Sequence, residues 1–595
     1  MMNADDHLPA EIQAPAPAKA KRSRGLLSIL LTTKLDKSTR RIRLIALGFA
    51  LIYCVIGGKL VYFAMHPELR QTHEASSDTV AAARPDILDR NGAVLATDIK
   101  VTSVFAEPRR IIDRDEAIDQ LTTIFPDLKV RDLTEKLGSR KGFVWIKRAV
   151  TPAEQQAVYH LGLPGVGFMQ ENKRVYPNGP IAAHVLGYAN IDGVGISGLE
   201  KYIDGQGLSA LQSAGFDLAS SNLKPIVTSL DLDATYAVRD ELAKGVEKFK
   251  AKAGAAAVLD VNTGELIAMA SLPDFDPNNP VDALRPQNID RMTVGVYEMG
   301  STFKALSIAM ALDAGKVTLN SKLDARESLR YGRFTIHDFE PMHRFLTVPE
   351  VFTYSSNIGT ARMAMMVGVD GHKAFLGKMG ELTRLRTELP ESAEPLVPKK
   401  WGELNTMTIA FGQGLNVAPL QALMAVGALV NGGYLIKPTF LKRSEADAMA
   451  NAVRVVKPET SESLRYLLRL NAEIGTAKNA NIDGYFVGGK TGTADKIFHG
   501  HYSKDKVLTT FMAIVPADKP KYLFFVMLDE PQAILGTYGF HTAAWNSGAV
   551  AGKIVARVGP LLGIEPRFTP PSEPFPLLAQ LGYAAANSAV VLGSQ

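Results

Sequence analysis

Three short stretches of this 595-residue chain carry the residue types that acyl transfer needs. In "EMGSTFKALSIAMALDAG" (Glu298–Gly315), Ser301 stands three residues before Lys304. On a helix, positions i and i+3 lie one turn apart on one face. A serine hydroxyl is a weak nucleophile without a base beside it. Lysine becomes such a base when burial or a neighbouring positive charge lowers its pKa. Ser301 follows Gly300 at the expected helix start, where backbone N–H groups and the helix dipole favour developing negative charge. The helix behind is apolar (Phe303, Leu306, Ile308, Met310, Leu312), which predicts that it is buried. A serine here would equally serve as an N-cap.

The second stretch is Ser355-Ser356-Asn357 in "TYSSNIGTARMA", a polar break between helical runs. A hydroxyl and a carboxamide two residues apart can pass a proton and orient an amide; a plain helix cap is the competing explanation. The third is Lys490-Thr491-Gly492-Thr493, preceded by Gly488-Gly489. On an edge strand this leaves backbone groups free to pair with an extended peptide. Glycine removes the side chain where a substrate approaches, and Lys490 can hold a carboxylate or raise the local positive potential; a β-turn is the alternative. Singly, each stretch is weak. Together, S-x-x-K, S-x-N and K-T-G in this order form the signature of penicillin-binding proteins and class A β-lactamases. A second S-x-x-K (Ser221–Lys224) and a second S-x-N (Ser220–Asn222) precede Pro225 and a strand, with no helix to align their groups.

The elements that must position these residues are readable in outline. "GAAAVLDVNTGELIAMASL" predicts two strands turning at Asn262-Thr263-Gly264, and "LTTFMAIVPADKPKYLFFVML" a second hairpin turning at Ala517–Pro520. Helical periodicity marks "LDATYAVRDELAKGVEKFKA", the long stretch to about residue 475, and "AAWNSGAVAGKIVARVG". Strands, helices, strands and a last helix suit one antiparallel sheet flanked by helices. Residues 67–230 alternate short β-like runs ("VTSVFAEP", "GFVWIKRAV") with polar helical ones ("RDEAIDQLTTIF", "TPAEQQAVYHLG"), an α+β texture without internal repeats.

The N-terminus is different. Residues 1–43 hold nine Lys/Arg and four Asp/Glu, which accounts for the whole net charge of +5. The rest is electrically balanced, so the composition gives no reason to expect a nucleic-acid partner. The first 24 residues, rich in Ala, Pro and Lys, read as disordered. Residues 44–65 then form an apolar run broken only by Lys59. At 1.5 Å per residue that crosses a ~30 Å hydrocarbon core. Lys34, Lys37, Arg40, Arg41 and Arg43 before it are the positive-inside pattern, which places the N-terminus in the cytoplasm. No small-x-small cleavage site comes soon after it, so an uncleaved single-pass anchor is expected. Cys54 is the sole cysteine, which excludes an intrachain disulfide and leaves the compartment open. The eleven histidines form no H-x-x-x-H pair beside a usable carboxylate, and there is no G-x-x-x-x-G-K-[ST]; neither a metal nor a cofactor is expected.

Over residues 40–560 the chain resembles the class B penicillin-binding proteins, monofunctional peptidoglycan D,D-transpeptidases. Beyond the three motifs, "RPDILDRNGAVLA" (Arg84–Ala96), "RVYPNG" (Arg174–Gly179) and "GVGISGLEKYID" (Gly193–Asp204) resemble the motifs of the family's non-catalytic pedestal, and "GQGLNVAPLQ" (Gly412–Gln421) a segment between its second and third active-site motifs. Overall length and the short distance from membrane to "DRNG" are most similar to the division-specific FtsI type, with the elongation type as alternative. The chain departs from the family's usual pattern at Pro85, in "YEMGSTFK", and in "TYGFHTAAWNSG", which lacks a proline.

The resemblance implies a multidomain α+β chain: a basic tail (1–43), a transmembrane anchor (44–65), a pedestal (66–230), a penicillin-binding/serine β-lactamase-like transpeptidase domain (231–565) and a C-terminal tail (566–595). It also implies a mechanism. Ser301 attacks the D-Ala–D-Ala carbonyl of a lipid II-derived stem peptide and Lys304 takes its proton. The N–H groups of Ser301 and Thr493 form the oxyanion hole. Ser355 relays a proton to the leaving D-Ala, and Asn357 holds the substrate amide. Lys490 and Thr491, with Gly492 leaving room and Thr493 beside it, grip the terminal carboxylate. β-Lactam antibiotics acylate the same serine and stay. A polytopic FtsW-type glycosyltransferase and other division proteins are the implied partners, at the inner membrane.

Competing functions meet specific obstacles. A serine β-lactamase needs a deacylating base such as the Glu of E-x-x-L-N; the nearest string, "WGELNT", has Trp401 there. Ser-Thr-Phe-Lys does occur in class D β-lactamases. A β-lactam sensor needs a multi-pass signalling part, and a bifunctional synthase an extra catalytic domain before residue 230.

Overall fold

A computed structural model describes residues 46–59, 83–206, 223–498, 500–569 and 571–580. The basic tail and the second S-x-N at Ser220–Asn222 lie outside the described residues. The chain divides into two compact units, Met1–Ser76 and Ser77–Gln595. In the first, residues 46–59 form a helix; the remainder of the expected 44–65 anchor lies outside the described residues. Among the described residues no helix is long and apolar enough to cross a membrane.

The second unit is built on two five-stranded sheets, with three two-stranded ones besides among the described residues. The N-terminal one orders Val144–Val150, Val94–Ala106, Ile87–Leu88 and Ile226–Val227, with Val166–Val175 also paired to Val94–Ala106. "VTSVFAEP" and "GFVWIKRAV" are thus neighbours in one sheet, whereas the strand expected in "KPIVTSLD" shrinks to Ile226–Val227. The polar helical runs fold as Arg114–Ile124, capped by Asp113, and Pro152–Leu161, whose Thr151 and Glu154 close a capping box. Their apolar stripes (Ile118, Leu121, Val158) pack with Val104, Phe125 and Ile146.

The three pedestal motifs, far apart in sequence, converge on one buried carboxylate. Arg84 Nε reaches Glu200 Oε2 at 2.7 Å, and Arg174 Nε reaches Glu200 Oε1 at 2.6 Å. Arg84 also binds Asp204 at 2.7 Å and Arg174 binds Asp98 at 3.2 Å. Pro85 lends its carbonyl to Arg174 Nη2 at 2.9 Å. The "DRNG" turn then ties the pedestal to the start of helix Leu232–Lys248. Asp89 Oδ2 accepts from Leu232 N–H at 3.1 Å, and Asn91 Nδ2 donates to Asp231 Oδ2 at 2.9 Å.

The C-terminal sheet is fully antiparallel, in the order Gly488–Phe498, His501–Val515, Tyr522–Asp529, Ala253–Asp260 and Leu266–Leu272. Chain segments from both ends of the region meet in it, at the pairing of Tyr522–Asp529 with Ala253–Asp260. Helices Leu232–Lys248 and Ser547–Leu561 pack on one face through Val238, Leu242, Val550 and Ile554. The helical region between residues 300 and 475 packs on the other. Burial on both faces is why "YLFFVML" is a continuous apolar run rather than an alternating one. One edge stays open: Gly488–Phe498 pairs only with His501–Val515, and it carries Lys490-Thr491-Gly492-Thr493.

Candidate active site

The first motif does not open the α-helix as the spacing suggests. Gly300–Phe303 forms a 3-10 turn, and the α-helix starts at Lys304 and runs to Asp313. The turn is wedged between two backbones. Gly300 has φ +55°, and a Cβ there would lie 2.8 Å from Thr493 O; a Cβ on Gly412, at φ +89°, would lie 2.0 Å from Gly300 O. Glycine alone fits both positions. Ser301 is thereby pressed beside the edge strand, partly exposed, and among the described residues its Oγ makes no hydrogen bond.

Lys304 is fully buried and points at the second motif, donating to the carbonyl of Ser355 and, at 3.1 Å, to Ser355 Oγ. Lys490, 1 % exposed, donates to the same Oγ at 3.0 Å. Residues 304, 355 and 490 thus meet at one hydroxyl. A hydroxyl has two lone pairs and one hydrogen. Two donors fill the lone pairs, so the hydrogen is left to move toward whichever amine is neutral. Burial, then the nearby Lys490 charge, hold Lys304 well below the ordinary lysine range, against an opposing pull from Asp338. Burial brings Lys490 down to about 7. Lys490 is therefore able to exchange a proton near neutrality, and Lys304 gives up its proton more readily than an ordinary lysine.

The second motif is held from below. Ser355 sits at φ +57° between helices Val348–Thr353 and Asn357–Val367. Ser356 caps the latter and donates to Asp338 Oδ2 at 2.7 Å, while Ile358 N–H donates to Asp338 Oδ1 at 2.9 Å. Asn357 Nδ2 donates to the carbonyl of His337 at 2.9 Å. In the third motif, Thr491 Oγ1 donates to Thr476 Oγ1 at 2.8 Å, and Thr493 Oγ1 accepts from Ala543 N–H at 3.1 Å. The Thr491 hydrogen is thus already engaged, whereas Thr493 only accepts and keeps its hydrogen free to donate. Gly492 leaves the space that Met299 O and Thr510 Oγ1 fill.

Of the residues singled out in the sequence, Lys304, Ser355 and Lys490 meet directly; among the described residues neither Ser301 Oγ nor the Asn357 side chain hydrogen-bonds to them. The supports of the site were not singled out. Asp338 and Thr476 lie in stretches without periodicity. Asn471 was findable: it continues the buried stripe Leu464, Leu467, Leu468 of helix Pro458–Ile474 with a carboxamide.

Known proteins share this chain's domains and fold. Residues 254–556 match the family model of the penicillin binding protein transpeptidase domain, and residues 79–206 that of the penicillin-binding protein dimerisation domain. The chain is 36 % identical over 496 residues to the probable peptidoglycan D,D-transpeptidase FtsI of Caulobacter vibrioides, covering 82 % of each. The chain belongs to the class B penicillin-binding proteins. A second member, the probable peptidoglycan D,D-transpeptidase PenA of Neisseria meningitidis, is 34 % identical, covering 82 % of this chain and 86 % of that one. The fold is shared with penicillin-binding protein 3 of Mycobacterium tuberculosis, solved with aztreonam (TM-score 0.62, 24 % identity, 83 % of this chain and 98 % of that one). The family's dimerisation domain is the unit built around Glu200, and its transpeptidase domain the unit built around the open-edged sheet.

Proposed function

We propose that Ser301 is the nucleophile of this enzyme, a peptidoglycan D,D-transpeptidase of the FtsI type. Lys304 is its general base. Ser355 passes a proton to the departing D-Ala, and Asn357 holds the amide of the stem peptide. Lys490, Thr491 and Thr493 take the terminal carboxylate on the edge strand, which Gly492 lets pack closely against Met299 O and Thr510 Oγ1. The N–H groups of Ser301 and Thr493 stabilise the oxyanion. An amine of a second stem peptide resolves the acyl-enzyme and leaves a cross-link. The observation that carries this reading is the meeting of Lys304 and Lys490 at Ser355 Oγ, with Ser301 one turn before Lys304. β-Lactams acylate Ser301 in place of the peptide.

The same reading extends to the chain's organisation: tail 1–43, membrane anchor 44–65, pedestal 66–230, transpeptidase 231–565 and C-terminal tail 566–595. Its supports are the cationic flank before residue 44, the helix over residues 46–59 and the two family matches. The catalytic domain then faces the periplasm of a single-pass inner-membrane protein at the septum, working on lipid II-derived strands beside an FtsW-type glycosyltransferase. Membranes labelled with a fluorescent penicillin and chased for hours test the enzymology. A stable band in wild type that is lost in Ser301→Ala is expected. A band fading within seconds would mark a β-lactamase instead.

A further inference from the structure

The middle hydroxyl of the third motif belongs to a relay. Thr491 Oγ1 lies 2.8 Å from Thr476 Oγ1, which in turn lies 3.3 Å from Asn471 Oδ1. The N–H of Thr476 donates to that same Oδ1 at 3.1 Å. The other end of the carboxamide, Asn471 Nδ2, donates at 2.7 Å to the carbonyl of Gly489, the residue before Lys490. Asn471 is 0 % exposed, on the stripe of a helix packed behind the edge strand. A Cβ on Gly475 would lie 2.1 Å from Asn471 Oδ1, so the turn carrying Thr476 is drawn tightly over the amide. One buried carboxamide thus grips the strand on one side of Lys490 and, through Thr476, the hydroxyl on the other.

We propose that Asn471 and Thr476 are positioning residues for a carboxylate subsite at Thr491: Asn471 fixes Thr476, and Thr476 supplies the proton that frees Thr491 to donate to the substrate's terminal carboxylate. In the free protein the hydroxyls point inward, Thr491 donating to Thr476 and Thr476 to Asn471. A carboxylate accepts only. When it arrives, both hydroxyls rotate: Thr491 donates to the carboxylate and accepts from Thr476, while Asn471 Oδ1 keeps the Thr476 N–H. No bond is made or broken. Each hydroxyl polarises the next, which strengthens the bond to the anion. The inference rests on reading Thr491 as a carboxylate ligand.

Acylation of the full-length protein by a fluorescent penicillin, measured over a range of concentrations, separates the dissociation constant of the first complex from the acylation rate constant. Thr476→Val is expected to raise the dissociation constant about 5–10-fold, the worth of one hydrogen bond between neutral groups, with the rate constant within about twofold. Thr476→Ser should restore wild-type binding. Thr476→Val combined with Thr491→Val should bind no more weakly than Thr491→Val alone, because the two hydroxyls act as a unit. The inference is overturned if Thr491→Val weakens binding and Thr476→Val does not. A Thr476→Val loss spread over both constants and unrescued by serine also overturns it, since that is a packing role. If Thr491→Val leaves the dissociation constant unchanged, the carboxylate reading of Thr491 fails first and takes the relay with it.

Discussion

The pedestal and the active site both bury long cationic side chains, in opposite ways. In the pedestal, Arg84 and Arg174 share Glu200, and each has a further carboxylate, Asp204 or Asp98. In the active site, Lys304 and Lys490 are as deeply buried, yet among the described residues neither forms an ion pair. They share a neutral hydroxyl instead. The nearest influence of opposite sign, Asp338, has its oxygens occupied by Ser356 and Ile358 N–H. Paired charges stay charged and hold three chain segments together. Unpaired ones lower their cost by giving up protons, and a lysine that has lost its proton is a base. Burial of the same kind of group thus makes structure in one place and reactivity in the other.

That contrast breaks most visibly when each region loses a charge. Lys304→Met should cut the rate of penicillin acylation by about 10³–10⁴-fold, the range of a missing general base. Its melting temperature should hold or rise, because an unpaired buried amine is removed. Glu200→Ala should do the reverse. It takes from Arg84 and Arg174 the buried carboxylate they share, leaving each with one, and should cost about 3–5 kcal/mol of stability, read by chemical denaturation, while protein that remains folded acylates normally. Loss of stability in the first variant, or of acylation alone in the second, would erase the distinction. A smaller effect sharpens it. Gly412→Ala pushes a methyl to within 2.0 Å of Gly300 O, so the turn holding Ser301 must shift. Acylation by folded protein should fall about 10²-fold, as expected for a misplaced nucleophile, and the melting temperature should drop as well, since alanine is strained at φ +89°.

The smallest effect concerns pH. Lys490 titrates at about 7 in the folded protein and in the ordinary lysine range when unfolded. Between those values the unfolded chain binds a proton that the folded one lacks, so stability rises with pH across that window, by about 1 kcal/mol per pH unit for one site. Below about 7 both states are protonated and this slope vanishes. Lys490→Met should remove this part of the slope and leave the part due to Lys304, as measured by urea unfolding from pH 7 to 10.

Much of this was legible in the sequence, for identifiable reasons. Short apolar runs and turn chemistry located both hairpins of the catalytic sheet, at Asn262–Gly264 and Ala517–Pro520. The motifs survive in sequence because each is a short local string on one element. The 3-10 turn at Ser301 was not legible: it is imposed by the backbones of Thr493 and Gly412, which lie 192 and 111 residues downstream. The supports at Asp338 and Thr476 were hidden for a similar reason, since a residue that hydrogen-bonds across the fold leaves no periodic trace. The pedestal network shows the intermediate case. Its three motifs could be quoted, while their convergence on Glu200 is a tertiary fact.

Burial and the charge of Lys490 depress the pKa of Lys304, and the pH dependence of penicillin acylation in wild type and Lys490→Met tests this. The rate should fall on the acid side with a limb well below the ordinary lysine value of about 10.4. Removing the neighbouring positive charge raises the pKa of Lys304, so the limb should move to higher pH in the variant. A wild-type rate that keeps climbing through pH 10, or a limb that stays in place when Lys490 is replaced, would contradict the account.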